Sequence, residues 1–439
     1  MTIHKVEQRS LFARLKSSSL VVGVAAAVIA SSVFATSEDQ AKRIHDRLTG
    51  NLPSQSVLDD MVTLIDAGDV YGAARVAIDN PVDHSFYNVT LKNWASPWTN
   101  RDFDAFADLN DYTATVIGFV RDSDTAPVSS DDDPSVTHDG LVDFRSVLYA
   151  DALYVGPGSL SSGYEVDNND HYVELEEGLD LDGDPGYSLK TDLSRVAQSV
   201  QVDAFANGGA SGVITSRAGA KAFLIAGTNR AAFRFAMLNH LCLDMEQVHD
   251  VTRVPDRIRQ DVSRSPGGDS TVFLNSCIGC HSGMDPLAQA LAYHNFAVPD
   301  RENDPTGEDG EVEYTPGVVQ SKYFNNDATF PQGYVTPNDS WANYWREGQN
   351  TVLGWSSIDG DGDGVGRGVG ASSMFEELAH TRAFAQCHVN RVFKTVCLRD
   401  AESGDLAPVE AMIDGFMTGE KAGDMKHVFA SSAVMCAGE

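Results

Sequence analysis

Three side chains with covalent or metal-binding chemistry fall within five residues, in Cys277-Ile-Gly-Cys280-His281. On a helix, residues three apart share a face and lie about 4.5 Å apart along the axis. Two thiols so placed can each form a thioether to one vinyl group of a porphyrin, and the next residue can bind its iron. This is the attachment spacing of c-type haem, with Cys277 and Cys280 as tethers and His281 as iron ligand. Other chemistries use the same residue types. A thioredoxin-like dithiol requires a βαβ pattern, which is not seen around it. A zinc site requires a second Cys pair or a His-x₃₋₅-His, and neither is present. Ordinary disulfides remain a further possibility. Haem is preferred because the chain has only 6 cysteines and the expected compartment suits it.

A single protein ligand leaves the distal iron position to be filled by Met, by His, or by nothing. Met284 is too close to His281 in sequence to reach the opposite haem face and is read as packing. Met374 opens the last long helical stretch after a Gly-rich loop and is the candidate sixth ligand, with His380 and His388 as alternatives. A core Met at helical spacing with Leu378 and Ala385 explains Met374 equally well. Asp359-Gly-Asp361-Gly-Asp363-Gly364 is the first half of a calcium loop, whose alternate carboxylates converge on one cation. Position twelve is Gly370, so a bidentate acid such as Glu376 or Glu377 would have to complete it; a solvated acidic turn is the alternative. Asp180, Asp182 and Asp184 form a weaker echo, with Pro185 in the glycine place. Gly366-x-Gly368-x-x-Ala371 imitates half a dinucleotide fingerprint, but no strand precedes it and the nearby Asp residues would repel a pyrophosphate. No hydrolase motif is present.

The chain opens with Lys5, Arg9, Arg14 and Lys16, an apolar run from Leu20 to Ala30, and small residues at Val33-Phe34-Ala35. This is the pattern of a secretory signal peptide over 1–35, with an uncleaved anchor as the alternative. The apolar run is short for a membrane span, and no later stretch could serve as one. The expected location is periplasmic, secreted or at the cell surface, where disulfides persist. Haem attachment leaves four cysteines and three possible pairings. Cys387 and Cys397, in one expected helix and roughly 15 Å apart, are too distant to pair. The pairings expected are Cys397 with Cys436 and Cys242 with Cys387. The formal charge of −31 makes nucleic acid and anionic lipid poor partners. Solubility in a salty medium explains this acidity more simply than steering of a cationic partner.

Apolar periodicity and caps predict helices over 38–48, 56–65, 70–78, 144–153, 218–243, 373–397, 409–416 and 425–431. Phe86 to Trp98 reads as an aromatic core corner, 122–139 and 157–185 as loops, and Val312-Glu-Tyr314 as part of a hairpin. Asp285-Pro286 reads as a helix break with Asp as the cap of a new helix. The fold class expected is mainly α: a helical N-terminal domain (36–230) and a helical cytochrome-c-like domain (231–439) with long Gly/Asp-rich loops.

Cys277-Ile-Gly-Cys280-His281-Ser-Gly-Met284-Asp285-Pro286-Leu-Ala-Gln-Ala-Leu291 resembles the haem region of planctomycete-type cytochrome c proteins, Cys-x-x-Cys-His-x-x-Met/Ile-Asp-Pro-x-Gly-x-Ala-Leu-Glu. Arg47-Leu-Thr-Gly50-Asn-Leu-Pro53-Ser is similar to that family's N-terminal Leu-Thr-Gly-x-Pro-Pro-Thr. Gly212-Val-Ile-Thr215 with Arg230 through Cys242 looks like the segment before the haem, and Phe384-Ala-Gln-Cys387 through Arg399 like the C-terminal helix. Ala288 stands where the family has Gly, and Ala292-Tyr293-His294-Asn295-Phe296 where it has Glu-Asn-Phe. The resemblance implies a mostly helical, secreted protein with one covalent haem c. The function expected is single-electron transfer to redox partner proteins. The alternatives are a haem oxidoreductase or peroxidase-like enzyme with an open distal site, and a calcium-organised surface interaction protein.

Overall fold

Local sequence starts and stops the first helices. Thr36 and Asp39 form a reciprocal capping box ahead of α1 (Ser37–Thr49), which ends at Gly50 with φ 77°, the left-handed turn that glycine allows without a Cβ clash. Ser54 caps α2 (Gln55–Asp66) and Asp69 caps α3 (Val70–Asp79) through their side-chain oxygens, each satisfying a backbone N–H that has no partner inside the helix. The computed structural model describes residues 36–124, 142–181, 186–224, 228–258, 270–323, 334–356 and 366–437. The expected signal segment 1–35 lies outside these residues.

The protein is mainly α, as expected. After an aromatic corner of short helical turns, Phe86 to Thr99, comes α4 (Asp111–Asp122), in which every side chain from Asp111 to Val120 is buried. It is a central strut. The later helices are α5 (Asp170–Glu177), α6 (Arg217–Phe223), α7 (Arg230–Ala236), α8 (Ile278–Ala288), α9 (Ala371–Ala379), α10 (Arg382–Cys397), α11 (Leu406–Met417) and α12 (Met425–Cys436). Three small antiparallel pairs join β1 (Leu153–Val155) to β2 (Ser194–Val196), β3 (His294–Ala297) to β4 (Glu311–Tyr314), and β5 (Ser340–Ala342) to β6 (Arg367–Val369). Helices from both chain ends share one layer: α12 packs on α3, α1 and α10, and Arg47 donates to the Val396 carbonyl at 3.1 Å. Thr36–Glu439 makes one compact unit, and a continuous apolar core runs from Ala41 to Ala437 across position 230, where the expected domain boundary falls. Two disulfides form: Cys397–Cys436 lies within that core, and Cys242–Cys387 joins the exposed Cys242 to α10; both are the pairs expected from the sequence. Among the described residues no helix is long and apolar enough to cross a membrane.

Several elements differ from the expectation. Residues 144–153 are a 3-10 turn, Phe144–Leu148, followed by β1 rather than a helix. The Gly/Asp-rich stretch 157–185 contains α5, held because His171, Tyr172 and Leu175 are buried. The helix expected over 218–243 is divided: Asn229 adopts φ 57° between α6 and α7, and Met237–Leu241 is a wider π turn. The helix expected over 373–397 is also two, because Thr381 turns extended and its side chain caps α10. Val312 and Tyr314 lie in β4, which pairs antiparallel with the preceding strand β3 as expected of a hairpin, though across a long connection.

Candidate functional site

Helical turns over Ser270–Val272 and Phe273–Cys277, the latter a π turn, run directly into α8. Such wide turns recur at functional sites, where they re-aim side chains. Cys277, Cys280 and His281 therefore stand on consecutive turns of one helical segment. The expected break at Asp285-Pro286 does not occur: α8 continues through Pro286 to Ala288. Pro286 has no N–H for the carbonyl four residues back, yet burial of Met284, Leu287 and Ala288 holds the helix together. Asp285 does not cap because its carboxylate is used elsewhere.

That use is the most ordered feature of the site. His281 Nδ1 lies 3.0 Å from Asp285 Oδ1, one helical turn away. Arg230, the first residue of α7, donates from Nε to Oδ1 at 2.8 Å and from Nη2 to Oδ2 at 3.0 Å. The Asp285 side chain is 3% exposed and that of His281 19%. Burial opposes ionisation of Asp285, but the Arg230 and His281 contacts outweigh it and hold the carboxyl well below the usual range. Helix α8 is seated by close backbone approaches. The Asp250 N–H donates to the Gly279 carbonyl at 2.9 Å. Gly283 lies flat against the fully buried Trp345, and Gly279 against the His249 ring.

Cys277 and Cys280 carry free thiols, whereas the four other cysteines are paired. Burial raises the Cys280 thiol, with Glu246 adding to it, and its sulfur lies 3.4 Å from the Met245 carbonyl. Ile258 and Phe273 form a small apolar cluster with Cys277 and Ile278, separate from the main core. Val272 and Leu274 beside the motif, and Val251 and Val254 in the strip that follows Asp250, are exposed. Two free thiols, a histidine and uncovered apolar side chains are the donor set and surroundings that a covalently held porphyrin requires, so these residues fit haem c.

Met374 is wholly buried in α9 within the main core, while His281 lies at a part-exposed edge. His380 Nδ1 is 3.0 Å from the Glu376 carbonyl. His388 is fully buried in an aromatic surround; its Nε2 lies 3.3 Å from His240 Nδ1, and His240 Nε2 lies 2.8 Å from the Tyr112 hydroxyl. The sequence reading missed this Tyr112–His240–His388 chain, whose members come from three distant segments. Met284 is packed in the main core, as expected. Asp359, Asp361 and Asp363, with Asp182 and Asp184, lie outside the described residues. Glu377, one of the two acids considered for the calcium loop, is engaged by Arg346 at 2.6 Å. Gly368 lies in β6 against the Trp341 ring, which explains that glycine by packing.

No family model, no curated protein and no solved structure matches this chain.

Proposed function

We propose that the protein is an extracytoplasmic c-type cytochrome that carries one covalent haem and passes single electrons to partner proteins. The observation that carries this reading is the selective state of the cysteines. Four are closed into disulfides, and the two left as thiols are those at haem-attachment spacing, followed by His281. Cys277 and Cys280 would each add across one vinyl group, forming a C–S bond while the thiol hydrogen goes to the other vinyl carbon. His281 would ligate iron through Nε2, since Nδ1 faces Asp285. Haem held there supplies one-electron iron chemistry. The disulfides suit an oxidising compartment, which supports reading residues 1–35 as an export signal.

One observation favours a second reading, a haem oxidoreductase with an open distal position: Met374, the candidate sixth ligand, is wholly buried in the main core. Optical spectroscopy of the ferric protein, made alongside cytochrome c maturation machinery, separates the two. A low-spin spectrum with slow cyanide binding supports the electron carrier. A high-spin spectrum with rapid cyanide binding supports the enzyme. A protein that gains no haem spectrum rules out both.

A further inference from the structure

We propose that Asp285 is a positioning residue for the haem iron: its carboxylate, clamped by Arg230, accepts the Nδ1 hydrogen of His281, directs Nε2 to the metal and makes the imidazole a stronger donor to ferric iron. This rests on the haem reading above. Four features converge. First, the spacing of His281 and Asp285, four apart on α8, lets them meet with little loss of side-chain freedom. Second, Arg230 binds both carboxylate oxygens in a planar fork, so Asp285 has neither the rotamer freedom nor the hydration to turn away. Third, Asn229 fixes the start of α7 relative to the segment after α8, donating to the carbonyls of Leu291 at 2.8 Å and His294 at 2.9 Å. Fourth, Asp285 does not serve the capping role its sequence context suggests.

A carboxylate that accepts the second ring hydrogen of a metal-bound histidine fixes its tautomer and raises its basicity. A more basic ligand stabilises the ferric over the ferrous state. The Arg230 charge opposes part of this effect while it orients the carboxylate, so the two residues push the iron potential in opposite directions.

The test compares wild type, Asp285→Asn and Arg230→Gln, all made with maturation machinery, and begins with intact mass. A wild type without added haem removes the haem reading, and this proposal with it, before any potential is measured. With haem attached, Asp285→Asn should raise the midpoint potential by at least a tenfold change in the ferric-to-ferrous ratio, about 59 mV. It should also lower the iron–histidine stretching frequency of the ferrous carbon monoxide photoproduct. Arg230→Gln should lower the potential. A haem-loaded Asp285→Asn with unchanged potential and stretch overturns the proposal. Should neither variant fold, the wild-type stretch decides: a frequency typical of a neutral imidazole without a carboxylate partner overturns it, and a raised one supports it.

Discussion

At the scale of single residues, buried histidines set how the protein answers to pH. Burial, with Arg391 adding to it, holds His240 well below its ordinary value, and burial with His240 and Arg391 does the same for His388. Burial and Lys322 hold His294 down at about 4, against a partial opposing effect from the Gly209 carbonyl. In the unfolded chain each returns to about 6.5. Between those values the unfolded state binds more protons than the folded one, so the histidine contribution to stability is full above about pH 6.5 and falls as pH drops below it. The expected loss is on the order of 1 kcal/mol per histidine per pH unit. Urea denaturation should therefore show falling stability from pH 7 to pH 5.5, with a shallower slope in His294→Gln. Equal slopes in the two proteins would contradict this assignment. The placement of Cys277, Cys280 and His281 on one helical segment was legible because it depends on local spacing alone. The His281–Asp285 contact was legible in principle from its four-residue spacing, but the Asp-Pro pair suggested a cap instead. Arg230 and the His240–His388 pair were not legible, since only tertiary packing brings them together.

At the scale of elements, the helix carrying the motif depends on what it rests against. A Cβ at Gly283 would lie 1.9 Å from the Trp345 indole nitrogen, and one at Gly279 would lie 2.3 Å from the His249 ring. Trp345 is fully buried and cannot yield, whereas His249 is only half-buried and can swing aside. Overpacking of this kind costs about 1–3 kcal/mol. Gly283→Ala should lose about that much in denaturant titration and Gly279→Ala clearly less; the reverse order would show that α8 is not seated on Trp345. Helices with a polar face and a side-chain cap, such as α1 to α3, were readable from sequence. The long apolar runs 218–243 and 373–397 hid their breaks. A continuous 3.6-residue pattern survives a change of direction when both halves are buried.

At the scale of the whole molecule, the disulfides join distant parts of the chain. Cys242–Cys387 closes a separation of 145 residues and Cys397–Cys436 one of 39, enough to destabilise the unfolded chain by about 5 and 4 kcal/mol in the loop-entropy account. Setting Cys277 and Cys280 aside and the distance between Cys387 and Cys397 along one helix left two pairings open, of which the structure forms the one expected. The sharing of one core across position 230 was not readable, because α12 returns to α1 and α3 from the far end of the sequence. The most direct test of the central claim is mass spectrometry of the exported protein, alkylated without reduction and mapped by peptide. The account predicts one haem on the peptide spanning Cys277 and Cys280, no alkylation there, and the other four cysteines recovered as Cys242–Cys387 and Cys397–Cys436. Alkylated Cys277 and Cys280 without porphyrin, in protein made with active maturation machinery, would contradict it.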